Sequence, residues 1–210
     1  MNRLEFMTEA TAPNTIVRDA VPADAPAVAA IGKVAVPETY KQLIPAESVM
    51  EAIVEQSYAL DALGGCITRC AIAEDAHFLI AERGRQVVGF LHYDSEGAEP
   101  ELHRIYVDPA RKRQGIGSAL LEELHRRLAS DTSYVLMVVT ANRPAVSFYE
   151  RHGFVEAARV DGVTYMDEHM GVEFPPGTPE VPALILRFTK TGESGNGNHL
   201  GQTPLKGGRT

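Results

Sequence analysis

Between Glu101 and Leu121 the chain reads ELHRIYVDPARKRQGIGSALL, and this stretch restricts the fold more than any other. A strand-like run leads through a turn at Pro109 and a basic cluster of Arg111, Lys112 and Arg113 into a helix opened by Gly115-Ile116-Gly117. Glycine at 115 and 117 removes the Cβ atoms that would hold a ligand away, so consecutive N–H groups can converge on one point. The first N–H groups of a helix have no intrahelical partner, and the macrodipole adds about half a positive charge at that end. A phosphate or pyrophosphate satisfies them. Close packing of the helix against its neighbours is the other reason for glycines in such a turn.

A chain of 210 residues, 44% of them hydrophobic, is long enough for one sizeable core and suits one domain. The expected organisation is a disordered leader over 1–14, a single domain over 15–190 and a disordered tail over 191–210, where Gly, Asn and Thr replace apolar residues. No run approaches the ~18 apolar residues that cross a bilayer, and the N-terminus lacks the apolar segment of a secretory signal, so the expectation is a cytoplasmic protein without membrane attachment. The net charge of −8 argues against nucleic acid and is compatible with a cationic substrate. Cys66 and Cys70 can share a helical face, but a zinc site usually takes four ligands, so free thiols and no metal are expected.

In chain order, 15–19 is a short strand, and Val21-Pro22-Ala23-Asp24 enters a helix that the Pro37 region interrupts. A second helix follows Pro45 and ends at Gly64-Gly65. From His77 the period changes: 77–82 and 86–93 read as a hairpin across Arg83-Gly84-Arg85, and 102–107 as the next strand. The helix from Gly115 to Leu128 carries Ile116, Leu120, Leu121, Leu124 and Leu128 on one face. YVLMVVT at 134–140 is the pattern of a strand buried on both faces, as in the central parallel part of an α/β sheet. Asn142 can cap a helix that Gly153 stops. Strands at 154–159 and 183–188 follow, separated by a proline-rich segment over 162–182 that reads as a functional or interface loop.

Two motifs resemble the GCN5-related N-acetyltransferase (GNAT) superfamily, and the match runs from about Ile16 to Lys190. One is IYVDPARKRQGIGSALL; the other is Asn142-Arg143-Pro144-Ala145 with Phe148-Tyr149 and Gly153-Phe154, about 30 residues downstream across the buried strand. The family usually has Arg or Gln where Lys112 stands, a departure expected to alter affinity only. The resemblance implies a mixed α/β (α+β) fold: a mostly antiparallel twisted sheet flanked by helices and splayed between the fourth and fifth strands. It implies acetyl-CoA as co-substrate. Its pyrophosphate would sit on the N–H groups of Gln114, Gly115, Ile116, Gly117 and Ser118, with Arg111, Lys112 and Arg113 beside it. Its pantetheine arm would pair with the strand at Ile105, Tyr106 and Val107. Asn142, Ala145, Phe148 and Tyr149 complete the implied binding set.

Amine acetylation requires a neutral amine, a donor to the oxyanion and a proton for the departing thiolate. Tyr149 matches the family tyrosine and is the expected acid. Glu101 falls, relative to Lys112, where the histone-acetylating branch carries its catalytic glutamate, and strand alternation places His103 on the same side. Either is a candidate base, since a free lysine amine has a pKa of about 10.4. The oxyanion donor is expected at the N–H of Ile105 or Tyr106. Tyr40, Glu168 and His169 are candidate acceptor contacts. The acceptor reads as a small cationic amine or polyamine, or as a protein N-terminus or lysine. A non-catalytic acyl-CoA sensor is the competing reading. A dinucleotide domain is disfavoured because Leu120 and Thr140 stand where a glycine and an acid are needed. An edge strand near the C-terminus leaves a homodimer open.

Overall fold

The computed structural model of the protein describes residues 14–41, 47–171, 173–174 and 176–191. The expected leader and tail lie outside these residues except at positions 14 and 191, and so does Pro45. Seven strands form one sheet: β1 (Ile16–Asp19), β2 (His77–Arg83), β3 (Gln86–Asp94), β4 (Glu101–Val107), β5 (Ser133–Val139), β6 (Val155–Asp161) and β7 (Pro182–Thr189). Their order is β1-β2-β3-β4-β5-β7-β6, and every pairing is antiparallel except β4 with β5.

Three helices, α1 (Ala25–Tyr40), α2 (Glu47–Ser57) and α3 (Leu60–Ile72), cover one face of the sheet. On the other face lie α4 (Ile116–Arg127) and α5 (Arg143–Arg151). The apolar stripe read from the sequence is the face that α4 buries: Ile116, Leu120, Leu121 and Leu124 are each at most 1% exposed. Burial of a side chain this size contributes about 1.5–3 kcal/mol. Asn142 caps α5 by accepting from the Ala145 N–H at 3.4 Å, and Gly153 at φ 87° stops it. The Gly84-Arg85 turn has φ of 56° and 65°, the geometry of a tight hairpin.

Three expectations need correction. Pro37 does not interrupt α1: the helix loses one hydrogen bond there yet runs on to Tyr40. Gly64-Gly65 does not end the second helix but lies inside α3. The break comes earlier, at Ala59, whose extended backbone (φ −62°, ψ 133°) lets Tyr58 sink to 2% exposure in the core. Core burial of one tyrosine outweighs the roughly 1 kcal/mol that each helical glycine costs. Finally, the proline-rich segment begins with a helix, α6 (Gly162–Met170). Asp161 caps it by accepting from Thr164 N–H at 3.1 Å, and Gly171 at φ 61° closes it.

β5 is buried along most of its length, but its parallel contact with β4 amounts to the single registered pair Glu101↔Val135. Beyond that pair the two strands diverge, and β5 pairs instead with β7 from Ser133↔Thr189 to Val139↔Ala183. A splay between the fourth and fifth strands therefore opens the sheet from within. The edge strand near the C-terminus is β6, exposed over most of its length.

Candidate active site

Above the splay lies a groove of ≈ 1090 Å³. One wall is β4 at Ile105, Tyr106 and Val107; the other is α5 with Asn142, Ala145, Phe148 and Tyr149. At one end stand Arg111, Lys112, Arg113, Gly115, Ile116, Gly117 and Ser118. The residues named as a coenzyme site from the sequence thus share one groove, except Gln114. Its side chain and carbonyl turn away to accept hydrogen bonds from Arg83, at 2.5 and 2.8 Å.

The loop geometry explains why these residue types stand there. Arg113 and Gly115 both have positive φ, 64° and 78°, so the backbone turns left twice before α4 begins. Only the glycine tolerates this at no cost. A Cβ on Gly115 would meet nothing within 4 Å, so that position opens on the groove, whereas a Cβ on Gly117 would press on Phe148 Cζ at 3.3 Å. Gly117 therefore answers a packing need as well as an approach need. The first intrahelical acceptor used is the Gly115 carbonyl, by Ala119 N–H at 3.0 Å, which leaves the N–H groups of Ile116, Gly117 and Ser118 free of helical partners. His152 braces this end: its Nδ1 donates to the Phe148 carbonyl at 2.7 Å, and its Nε2 accepts from the Ser118 hydroxyl at 3.0 Å.

The basic cluster is unevenly engaged. Arg111 is held by Asp108 at 3.3 Å and Gln86 at 2.5 Å, and Lys112 pairs with Glu38 at 3.5 Å. Among the described residues Arg113 has no ion-pair partner.

Where β4 and β5 part, the groove runs into a narrower cavity of ≈ 70 Å³ lined by Tyr40, Tyr58, Glu101, His103, Arg104, Tyr106 and Met166, among others. Glu101 and His103 do meet here, with 3.9 Å between His103 Nδ1 and Glu101 Oε2. Alternation through Leu102, which packs into the opposite core, accounts for this pair, as expected from the sequence. Tyr93 pairs with Leu102 and His92 with Arg104, so His103 is the extra residue of a β-bulge. The bulge resets the alternation and brings Arg104 into the same cavity. Its guanidinium lies 5.4 Å from the Tyr58 ring centroid and donates to the Ser57 carbonyl at 2.8 Å, while its buried Nε has no hydrogen-bond partner.

The tyrosines around the cavity hold their protons. Burial pushes the Tyr149 hydroxyl well above its usual value, with the nearby Tyr40 adding to the effect. Burial also raises Tyr40, which is hydrogen-bonded to Tyr106. The Tyr165 hydroxyl, raised by burial and by Glu101, holds that carboxylate from α6. Glu168 and His169 are exposed and line neither cavity; His169 stacks on Tyr165 at 4.1 Å instead. It is Tyr165 and Met166, on the buried face of α6, that approach the site. Sequence reading missed them, and it missed Tyr58 and Arg104. Only the YMDEHM spacing at 165–170 hinted at a helix.

Behind the cavity a polar cluster continues into the core. Asp94 Oδ2 lies 3.1 Å from His103 Nε2 and 3.4 Å from His92 Nε2. Burial alone would raise the Asp94 carboxyl, but the two imidazoles outweigh it and hold the group far below the carboxylate range. Cys66 Sγ lies 3.4 Å from His92 Nε2. The neighbouring Cys70 thiol, followed by His92, lowers Cys66.

A seven-stranded sheet splayed beside a glycine-opened helix is the architecture of the GNAT N-acetyltransferases. The acetyltransferase (GNAT) domain model matches residues 74–156, so the resemblance read from the two motifs holds over that stretch. The chain is 35% identical over 98 residues to the putative phosphinothricin acetyltransferase YwnH of Bacillus subtilis, a match covering 43% of this chain and 60% of that protein. The fold is shared with the PaiA N-acetyltransferase of Thermoplasma acidophilum solved with coenzyme A: TM-score 0.65, 21% identity, 84% of this chain and 99% of the other. It is shared too with the ribosomal-protein-S18-alanine N-acetyltransferase of Escherichia coli: TM-score 0.56, 21% identity, 87% and 98% of the two chains.

Proposed function

We propose that the protein is an acetyl-CoA-dependent N-acetyltransferase that moves the acetyl group directly to a primary amine in a ternary complex. The observation that carries this reading is the continuity of the groove: the glycine-opened loop, the splay and Tyr149 share it, and it runs into the cavity holding Glu101 and His103. Acetyl-CoA fits the residues present, because free N–H groups and the unpaired Arg113 suit its pyrophosphate, and the edge of β4 suits its peptide-like arm. When bound, it supplies a thioester for the amine to attack.

The chain's own residues would do the rest. Glu101, or His103 beside it, takes the proton from the acceptor ammonium as the amine enters. The backbone N–H near Ile105 or Tyr106 donates to the thioester oxygen. Tyr149, protonated by virtue of its burial, gives a proton to the departing sulfur.

For the acceptor, the net charge favours a small cationic amine or a polyamine, and a protein N-terminus or lysine fits the chemistry as well. Arg104 favours a different group: a guanidinium with a buried, unpartnered Nε inside the cavity suits an amine that also carries a carboxylate or similar anion. YwnH is named for phosphinothricin and the Escherichia coli neighbour for an alanine of protein S18, so both acceptors belong in the panel.

The test is calorimetric binding of acetyl-CoA followed by thiol release on the same sample. The panel holds polyamines, amino acids, phosphinothricin and N-terminal peptides, and Gly117→Val is the binding control. Binding that the variant weakens by orders of magnitude, with turnover on one acceptor class, supports the enzyme. Binding without turnover on any class favours a non-catalytic acyl-CoA sensor. Absence of binding would remove both readings.

A further inference from the structure

Among the described residues outside the groove, a cluster of thiols and an imidazole lies where α3 crosses β3. Cys66 and Cys70 stand one turn apart on α3, and their Sγ atoms lie with an imidazole nitrogen of His92 within 4.8 Å of one another. Cys66 Sγ is 3.4 Å from His92 Nε2. Around a tetrahedral ion with metal–sulfur bonds of about 2.3 Å and metal–nitrogen bonds of about 2.0–2.1 Å, neighbouring ligand atoms are separated by roughly 3.5–3.8 Å. The observed spread needs only small rotamer shifts to reach that.

The surroundings also suit a cation. Cys70 is 7% exposed, His92 5% and Asp94 8%. Asp94 Oδ2 lies 3.4 Å from the same His92 nitrogen, which puts a carboxylate beside that donor. Stacking fixes the His92 ring, with Phe78 at 5.3 Å and His103 at 4.9 Å between centroids. His103 Nε2 is buried and out of hydrogen-bonding alignment although Asp94 is 3.1 Å away. A buried polar atom left without a hydrogen-bond partner is costly. A half-buried and a buried thiol packed on the core would by themselves require neither the imidazole nor the carboxylate.

We propose that Cys66, Cys70 and His92 bind a zinc-class divalent ion, with Asp94 beside the His92 nitrogen. Two sulfurs and one imidazole form a borderline-soft donor set that suits zinc and disfavours magnesium or calcium. On binding, the two thiols release their protons to solvent and three donor bonds form without any redox change. The ion ties α3 to β3 and, through Asp94, steadies His103 at the wall of the acceptor cavity. The sequence alone offered only a C-x-x-x-C pair, because His92 lies far along the chain.

This site does not depend on the transfer reaction and is tested apart from it. The full chain is stripped with a chelator, kept reduced, and titrated with Co(II) and then Zn(II). The expected result is a sulfur-to-cobalt charge-transfer absorption that saturates at one equivalent and is bleached by one equivalent of zinc. Cys66→Ser and Cys70→Ser should each weaken binding by at least about 100-fold, and Asp94→Asn by about 10- to 100-fold. In case a serine variant misfolds, the unaltered chain supplies a second measurement: zinc should shield both thiols from alkylation, counted by mass. Equal labelling with and without zinc, or a cobalt band that persists in both folded serine variants, would overturn the site.

Discussion

Tyr58 occupies the space that a side chain at position 32 would need: a Cβ built on Gly32 falls 2.1 Å from Tyr58 Cε1. Through this one contact α1 sets the position of the tyrosine that floors the small cavity and carries the Arg104 guanidinium on its ring. The break between α2 and α3 exists to deliver Tyr58 to that spot, so the wall of the cavity and the stability of the domain are coupled.

Gly32→Ala should therefore act on both. Alanine improves helix propensity by about 1 kcal/mol, but overpacking typically costs about 1–3 kcal/mol, so net destabilisation of up to ~2 kcal/mol is expected. The acceptor KM should rise because Tyr58 must move. Denaturant unfolding and steady-state kinetics check this; an unchanged midpoint with unchanged KM would mean that Tyr58 yields freely.

Tyr149→Phe keeps the ring that packs on Phe154 at 5.4 Å and removes only the hydroxyl. As the acid for the leaving sulfur, it should account for a kcat loss of about 10²-fold or more. Acetyl-CoA affinity by calorimetry should stay within about twofold. A variant as fast as the parent would take away this role.

Glu101→Gln preserves shape and the Tyr165 contact while removing the carboxylate. If Glu101 is the base, kcat/KM should fall by about 10²- to 10⁴-fold, with coenzyme binding intact. His103→Asn, measured alongside, assigns the remainder: a large loss there and none in Glu101→Gln moves the role to His103.

His125 is pushed down from 6.5 to about 4, first by burial and then by His152 and Lys190. Its ring stacks on Phe188 at 3.9 Å and meets the Tyr134 hydroxyl at 2.8 Å. Because the folded-state pKa is below the unfolded one, the contribution is whole above pH 6.5 and is lost as pH falls toward 4. Thermal unfolding should show Tm declining across that window, and His125→Gln should flatten the decline. An identical pH slope in the variant would place the acid sensitivity elsewhere.

What could be read in advance follows from the range of the interactions involved. The Gly115 turn, the Asn142 cap, the Gly153 stop, the buried β5 and the leucine face of α4 depend on neighbours a few residues away, so composition and period reveal them. Gly64-Gly65 misled because a helix propensity cost of about 1 kcal/mol per glycine was outweighed by burying Tyr58, and Pro37 because Ala35 and Val36 are buried around it and Tyr40 packs on the same core. The helical start of the 162–182 segment was hidden behind its prolines, although Asp161 and Gly171 supply both caps.

The sequence by itself determined a strand, a glycine-opened helix and a capped helix, since each is fixed by backbone geometry within one turn. Only the tertiary structure decided what faces the small cavity. A bulge at His103 shifted the pairing by one residue, and one residue is enough to change the face on which every later side chain falls. That shift brings Arg104 to the cavity beside Glu101 and His103. Packing α3 across β3 is likewise what sets Cys66 and Cys70 against His92, a meeting no local pattern encodes.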